Sequence, residues 1–263
     1  MKLPYSSFIA RVIPWALPPM LAGFALASDP ASSGEPAAAQ LVRDSFDYYR
    51  GEASVAIVEM RIHRPDWERT QVLKVWTLGE DKSLFTILEP SKDRGNGSLK
   101  RGSDMWMYNP RIKRVIKLPP SMMSQSWMGS DFSNNDLAKS DSLIEHYEHR
   151  IVSTEKDGEH TVYVIESTPV PGAPVVWGKE VLRIRQDLIF LEEAFYDEDG
   201  ELVKTLRFSD LRMFGDKLYP ARMKMSPADK PGQYTEVVYR ELAFRDTLPE
   251  RYFTQQSLRN PPR

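Results

Sequence analysis

The 263-residue chain predicts a mainly β protein, a single curved antiparallel sheet forming an incomplete, half-open β-barrel. Three observations carry that prediction. Apolar and polar residues alternate with period two from Ser54 almost to the end of the chain. Turn pairs such as Asn109-Pro110, Asp157-Gly158, Asp199-Gly200 and Gly215-Asp216 separate the runs by only a few residues. Only one substantial helix, Ala37 to Arg50, accompanies about a dozen such runs. Short links make antiparallel neighbours, and strands without intervening helices exclude an α/β arrangement.

The first 27 residues read as a targeting signal. Lys2 and Arg11 give a positive start, Ile13 to Leu26 is apolar but broken by prolines, and Ala25-Leu26-Ala27 supplies the small residues of a cleavage site. Residues 28–36, rich in Ser, Ala, Pro and Gly, read as a flexible arm, and residues 37–263 as one domain. In the helix, Leu41, Val42, Phe46 and Tyr49 fall near one face, and Gly51 is its stop. Strand-like runs follow at Ser54 to His63, Gln71 to Leu78, Ser83 to Leu88, Met105 to Tyr108 and Arg111 to Leu118. After an interruption they resume at Glu148 to Glu155, Thr161 to Ser167, Lys179 to Arg185, Ile189 to Tyr196, Leu202 to Met213, Leu218 to Met225 and Tyr234 to Phe244.

Charge and composition narrow the function. With 35 basic and 37 acidic side chains there is no positive field to gather phosphates, so nucleic acid is not an expected partner. Cleavage after Ala27 would remove two basic groups and leave 33 against 37, a net charge of −4. The absence of cysteine excludes zinc-thiolate sites, cysteine nucleophiles and lipid attachment at a cysteine. No cofactor or metal is expected. His146 and His149 would share a face on a helix, as metal ligands must, but they lead into a strand that points them to opposite sides. Asp197, Glu198 and Asp199 lack the spacing of a calcium loop, and Gly95-Asn96-Gly97 reads as a turn. The cations Lys100, Arg101, Arg111, Lys113, Arg114 and Lys117 read as a solvated strand face or as a surface for anionic headgroups. No catalytic constellation stands out, and no enzyme is expected.

The segment between Leu118 and Asp141 breaks the rhythm. It carries Met122, Met123, Trp127, Met128, Phe132 and Leu137, apolar groups that must lie on something, and Ser133 with Asp136 marks a capped helical turn. Methionine adapts to variable shapes, which suits a flap over an apolar space. Composition alone leaves two readings open, a plug in the barrel core or a ligand-facing lid. A half-wet sheet must have its apolar face covered. One helix and this insertion are few covers for so many strands, so an interior cavity lined by Val58, Met60, Ile87, Met107, Ile116 and Leu118 is expected.

Three stretches, Gly102 to Pro110, Arg114 to Ser121 and Ser126 to Phe132, resemble the LolA-like family of outer-membrane lipoprotein-sorting proteins, in its larger, uncharacterised branch. The resemblance implies an incomplete β-barrel wrapped around a helical lid, with a cavity for lipid acyl chains. It favours the lid reading of Met122 to Leu137 and implies a periplasmic, non-enzymatic carrier of lipid or lipoprotein acyl chains. An inner-membrane transporter or export complex is the implied protein partner, and the carrier is expected to be a monomer. The chain is longer than the lipoprotein carriers, and no residue of the sequence can be matched to their lid-locking arginine. A sensing or interaction module accessory to a transporter is the alternative. An envelope hydrolase, for which His146, His149 and scattered acids are the only material, is a third.

Overall fold

A computed structural model describes residues 37–262. The expected signal peptide (1–27) and arm (28–36) lie outside the described residues. Helix α1, Ala38–Arg50, buries Leu41, Val42, Ser45 and Phe46, the one-sided spacing that the sequence carries. It ends at Gly51, whose positive φ of 63° lets its N–H reach Asp47 O at 2.8 Å. Arg50 then anchors the helix end, donating to Gly79 O at 2.8 Å and to Ser83 Oγ at 3.0 Å.

Thirteen strands follow: β1 (Ala53–Arg64), β2 (Trp67–Leu78), β3 (Lys82–Glu89), β4 (Gly97–Arg101), β5 (Asp104–Asn109), β6 (Arg114–Lys117), β7 (Tyr147–Asp157), β8 (His160–Pro169), β9 (Lys179–Arg185), β10 (Phe190–Tyr196), β11 (Leu202–Phe214), β12 (Lys217–Pro227) and β13 (Tyr234–Arg245). They form one antiparallel sheet in the order β6-β5-β4-β3-β2-β1-β13-β12-β11-β10-β9-β8-β7. Hairpins make every neighbour except β1 with β13, which pair across the middle and join the two halves. A register shift between Ile57 and Val58 marks that seam, where an irregularity increases twist. The sheet is not closed, and β6 and β7 are its edges. The chain therefore has to travel from one edge to the other, and residues 118–146 make that journey across the concave face.

Four short helical pieces build this strap: α2 (Pro120–Met123), a 3-10 turn (Trp127–Gly129), α3 (Asn134–Ala138) and α4 (Ser142–Glu145). The expected cap is present in both directions. Asp136 N donates to Ser133 Oγ at 3.2 Å, and Ser133 N donates to Asp136 Oδ2 at 2.6 Å.

Two interior cores divide the concave side. One joins Leu41 and Val42 of α1 to Ile165, Leu182, Ile184, Phe190, Leu206 and Phe208 of β8–β11. The other joins Ala56, Val58, Met60 and Ile62 of β1 to the strap through Leu118, Trp127 and Ala138. A third lies on the opposite face of β2–β4, where the C-terminal segment with α5 (Gln255–Arg259) lays Phe253 and Leu258 over Trp76, Leu84 and Leu99. Each buried large side chain contributes about 1.5–3 kcal/mol by leaving water.

The structure adds elements to the sequence reading. The sequence reading has Gly95-Asn96-Gly97 as a turn and no strand at β4; Ser98, Leu99 and Lys100 are all buried there, so no alternation marks it. Gly97 opens it because a Cβ there would lie 2.7 Å from Phe85 O. The cations expected on one face are divided: Lys100 is buried and pairs with Asp141 at 3.3 Å, and Lys117 pairs with Asp104 at 2.6 Å.

Candidate functional site

The strap is held to the sheet by polar ties from several strands. At the end of β1, Arg64 grips Asp131 with both guanidinium nitrogens, Nη2 to Oδ1 at 2.9 Å and Nη1 to Oδ2 at 3.1 Å. That two-pronged geometry suits a carboxylate, and both side chains are largely buried. Thr235 of β13 adds a second hold, donating to Asp131 Oδ2 at 2.7 Å and accepting from Asp131 N at 2.9 Å. Arg69 of β2 donates to Met128 O, which a left-handed Met128 (φ 51°) and Gly129 (φ 76°) turn toward it. Lys204 of β11 pairs with Asp136 of α3, and Lys100 of β4 with Asp141. Apart from Met128, which serves here through its backbone oxygen, sequence reasoning assigned none of these residues to the site, because partners such as Arg64 and Asp131 are 67 positions apart.

Of the twelve sequence-predicted site residues, the structure brings eleven together under the strap. Val58, Met60, Ile87, Leu118 and Trp127 are buried in one cluster, and Met107, Met122, Met123, Met128, Phe132 and Leu137 pack against it. Trp127 stands edge-on to Phe85 with centroids 5.2 Å apart and donates from Nε1 to Ser98 Oγ at 3.0 Å. Ile116 is apart, 49% exposed on the edge strand β6. In this half of the barrel, strap and sheet interlock as a core.

The hollow lies in the other half. A cavity of about 190 Å³ remains between α1, the strap and β7–β12. Its apolar walls are Phe46 and Tyr49 of α1, Phe132 of the strap, and Phe190, Phe195, Leu206, Phe208 and Met225 of the sheet. Phe132 is the one predicted residue that borders it. A wider cleft of about 580 Å³ adjoins it, lined by the Arg64–Asp131 clamp and by Lys204 and Lys230. Phe132, Asn135, Val176 and Trp177 wall both spaces and so form the partition between them. A cavity of about 150 Å³ accommodates one benzene, or about 25 Å³ per carbon, so a 16-carbon chain needs about 400 Å³. At about 190 Å³ the cavity, which is partly open, has room for roughly half of such a chain.

One end of the cavity is polar. Glu180 and Glu193, diagonal neighbours on β9 and β10, project from the same sheet face as Leu182 and Phe195. Burial pushes both carboxyls up, and each also acts on the other: Glu193 is raised to about 7, and Glu180 lies well above the usual carboxylate range. Tyr147 donates to Trp177 O at 3.0 Å beside them, and burial raises its phenol as well. Lys204 Nζ sits 4.9 Å from the Trp177 ring centroid while pairing with Asp136. Sequence patterning gives no signal for this group, because Glu180 and Glu193 read as ordinary polar positions of alternating strands.

The other candidates take structural places. His149 lies on β7 with Nδ1 2.8 Å from Ser167 Oγ, and His146 follows the end of α4. Asp197 closes the β10–β11 turn, accepting from Asp199 N and Glu201 N.

An open antiparallel half-barrel, with a helix and an edge-to-edge strap covering its concave face, defines the LolA-like lipoprotein-sorting fold. Three solved structures share it. An outer membrane lipoprotein-sorting protein domain from Vibrio parahaemolyticus is 26% identical, with 84% of this chain and 98% of that one covered and a TM-score of 0.74. A DUF1329 family protein from Desulfovibrio piger is 25% identical over 84% and 97%, with a TM-score of 0.75. A LolA superfamily protein from Nitrosomonas europaea is 25% identical over 84% and 99%, with a TM-score of 0.70. A family model described as an uncharacterised protein matches residues 79–260, and the chain belongs to that family, within the LolA-like group. No curated protein matches the chain significantly. Among the described residues, no helix is long and apolar enough to cross a membrane.

Proposed function

We propose that the protein is a periplasmic, non-enzymatic carrier that shields the acyl chains of a lipid or lipoprotein during transfer between membrane components. The observation that carries this reading is the apolar cavity between α1, the strap and β7–β12, inside a half-barrel whose neighbours include a lipoprotein-sorting protein domain. The signal-like residues 1–27 support export, with cleavage after Ala27, and an inner-membrane transporter or export complex is the fitting donor. Cargo would enter beside Phe132 and Trp177 as the strap lifts, and the methionines of the strap would slide over it. Exposing about 16 carbons to water costs roughly 12 kcal/mol, so a chain crosses the aqueous space only under cover. A bilayer is equally apolar. The carrier therefore need only match it, and the strap's polar ties would set when cargo is held and released.

A second reading is favoured by one observation. Half of the concave face is already filled by the protein's own side chains around Trp127, as in an interaction or sensing module accessory to a transporter. Native mass spectrometry of protein isolated from the periplasm separates the two. The carrier reading expects a lipid adduct, or uptake of a fluorescent fatty acid by stripped protein. Repeated isolation without lipid, together with no uptake, would leave the module reading.

A further inference from the structure

We infer that the β5–β6 turn and the β3–β4 loop beside it form a foot that docks the protein on an anionic lipid bilayer, with Ile112 entering the hydrocarbon boundary and the cations around it meeting lipid phosphates. The inference stands apart from the carrier reading, because none of these residues lines the cavity or the cleft.

The turn is built to present Ile112. Pro110 fixes one φ, Arg111 N donates to Asn109 Oδ1 at 2.9 Å, and Lys113 closes the turn with a φ of 51°. Ile112 is held there 57% exposed and belongs to none of the three apolar cores. Alone, one exposed isoleucine would be ordinary. The charge around it is not. Arg111 precedes it, Lys113 and Arg114 follow it, and Arg111 Nη2 donates to Lys92 O at 2.8 Å, tying the turn to the loop that carries Lys92 and Arg94. All five cations are exposed, and among the described residues none makes an ion pair, whereas Lys100 and Lys117 farther along the strands both do. The acids of the same two loops are Glu89 and Asp93, so five basic groups stand against two on a chain whose formal charge is −2.

Strand register places the foot. Tyr108 pairs with Gly97, Gly97 with Thr86, Glu89 with Val72 and Trp67 with Arg64, so the foot and the cleft-lining Arg64 lie at one end of the sheet. The β1–β2 turn at that end adds one acid, Asp66, and also Trp67, 49% exposed, an aromatic of the kind that settles at headgroup level. In the other half of the sheet the β10–β11 turn at the same end carries Asp197, Glu198, Asp199 and Glu201. An anionic surface attracts the first region and repels the second, so the foot sets the orientation. A bilayer supplies both complements in order, phosphates at the surface and hydrocarbon just beneath. An acidic protein surface offers only the first.

Flotation of the purified protein with vesicles tests this, using phosphatidylcholine alone and phosphatidylcholine with about one third phosphatidylglycerol. Binding is expected to the anionic vesicles only, and to be lost at about 0.5 M salt, where charges are screened within a few ångströms. Replacing both Lys113→Gln and Arg114→Gln should weaken it about 25-fold, at about fivefold per cation, and Ile112→Ser roughly tenfold. These side chains are exposed, so the variants should melt with the parent and take up a fluorescent fatty acid as it does. The chain has no cysteine, so Ile112→Cys gives a single attachment point for an environment-sensitive dye, whose emission should shift to the blue on the anionic vesicles. No binding to anionic vesicles, equal binding to neutral ones, or binding that these variants leave unchanged overturns the inference. So does binding without a dye shift, which would mean that charge alone docks the turn, as on an acidic protein.

Discussion

Replacing Arg64 with glutamine tests whether the strap is a latched, separately opening element. The wild-type guanidinium holds Asp131 through two bonds, of 2.9 and 3.1 Å, between side chains that are 15% and 6% exposed. At an effective dielectric of about 20 the gross attraction is about 4 kcal/mol. Part of it is recovered when the arginine rehydrates, and Thr235 still donates to Asp131 at 2.7 Å. The net loss is therefore about 2–3 kcal/mol, within the range for bonds to charged groups. If the loss falls on strap opening, the opening equilibrium rises roughly 30- to 150-fold. Hydrogen exchange reads it directly at Trp127 N and Ser130 N, which donate to Phe132 O at 2.7 Å and Trp127 O at 2.9 Å. Those amides should lose protection by that factor while the β1–β2 ladder holds. Arg64 also donates to His63 O and Tyr234 O, so Asp131→Asn, which spares those bonds, is the control and should reproduce the effect. Equal loss of protection in the ladder would make the pair a support of the whole fold. No loss in the strap would mean that packing alone closes it.

Two further perturbations address the two halves of the interior. Trp127→Ala removes a buried indole packed on Phe85 and strips Ser98 of its donor, so urea denaturation should show a loss of about 3–5 kcal/mol; Trp127→Phe, which keeps most of the ring, should lose far less. Glu193→Gln should flatten the pH dependence of stability. In the wild type the folded state keeps its proton up to about pH 7, whereas the unfolded chain releases it near 4.5. Between those values the folded state binds more protons, so stability falls as pH rises, by about 1.4 kcal/mol per pH unit for one group. Urea melts at pH 5 and pH 7 should differ by about 2 kcal/mol more in the wild type than in the variant, and equal differences would show that burial does not shift this carboxyl.

Much of the fold was legible because its signals are local. Period-two runs such as Ala56, Val58, Met60 and Ile62 and turns such as Asp157-Gly158 identify strands and their neighbours without any long-range information. The helix at Leu41 to Phe46 and the cap at Ser133 and Asp136 are equally local. Strand β4 was hidden because Ser98 and Lys100 are polar yet buried, each matched to a strap partner that only the folded chain supplies. At five residues, α5 is too short to show a period. The interior shows the same division. Methionines and aromatics announced that the strap covers apolar surface, and eleven predicted residues do meet there. Where space remains depends on how well each half packs, a property of three-dimensional volume that falls on Leu206, Phe208 and Glu193, residues with no unusual sequence context.

The claim that the hollow beside α1 receives foreign hydrocarbon is tested most directly by filling it. Leu206 lines the cavity from β11, and Leu206→Trp would place an indole into a space of about 190 Å³. Affinity for a fluorescent fatty acid should fall at least tenfold while the stability in urea stays within about 1 kcal/mol of the parent, since the ring enters space already present. Undiminished binding by a folded Leu206→Trp protein would contradict the account.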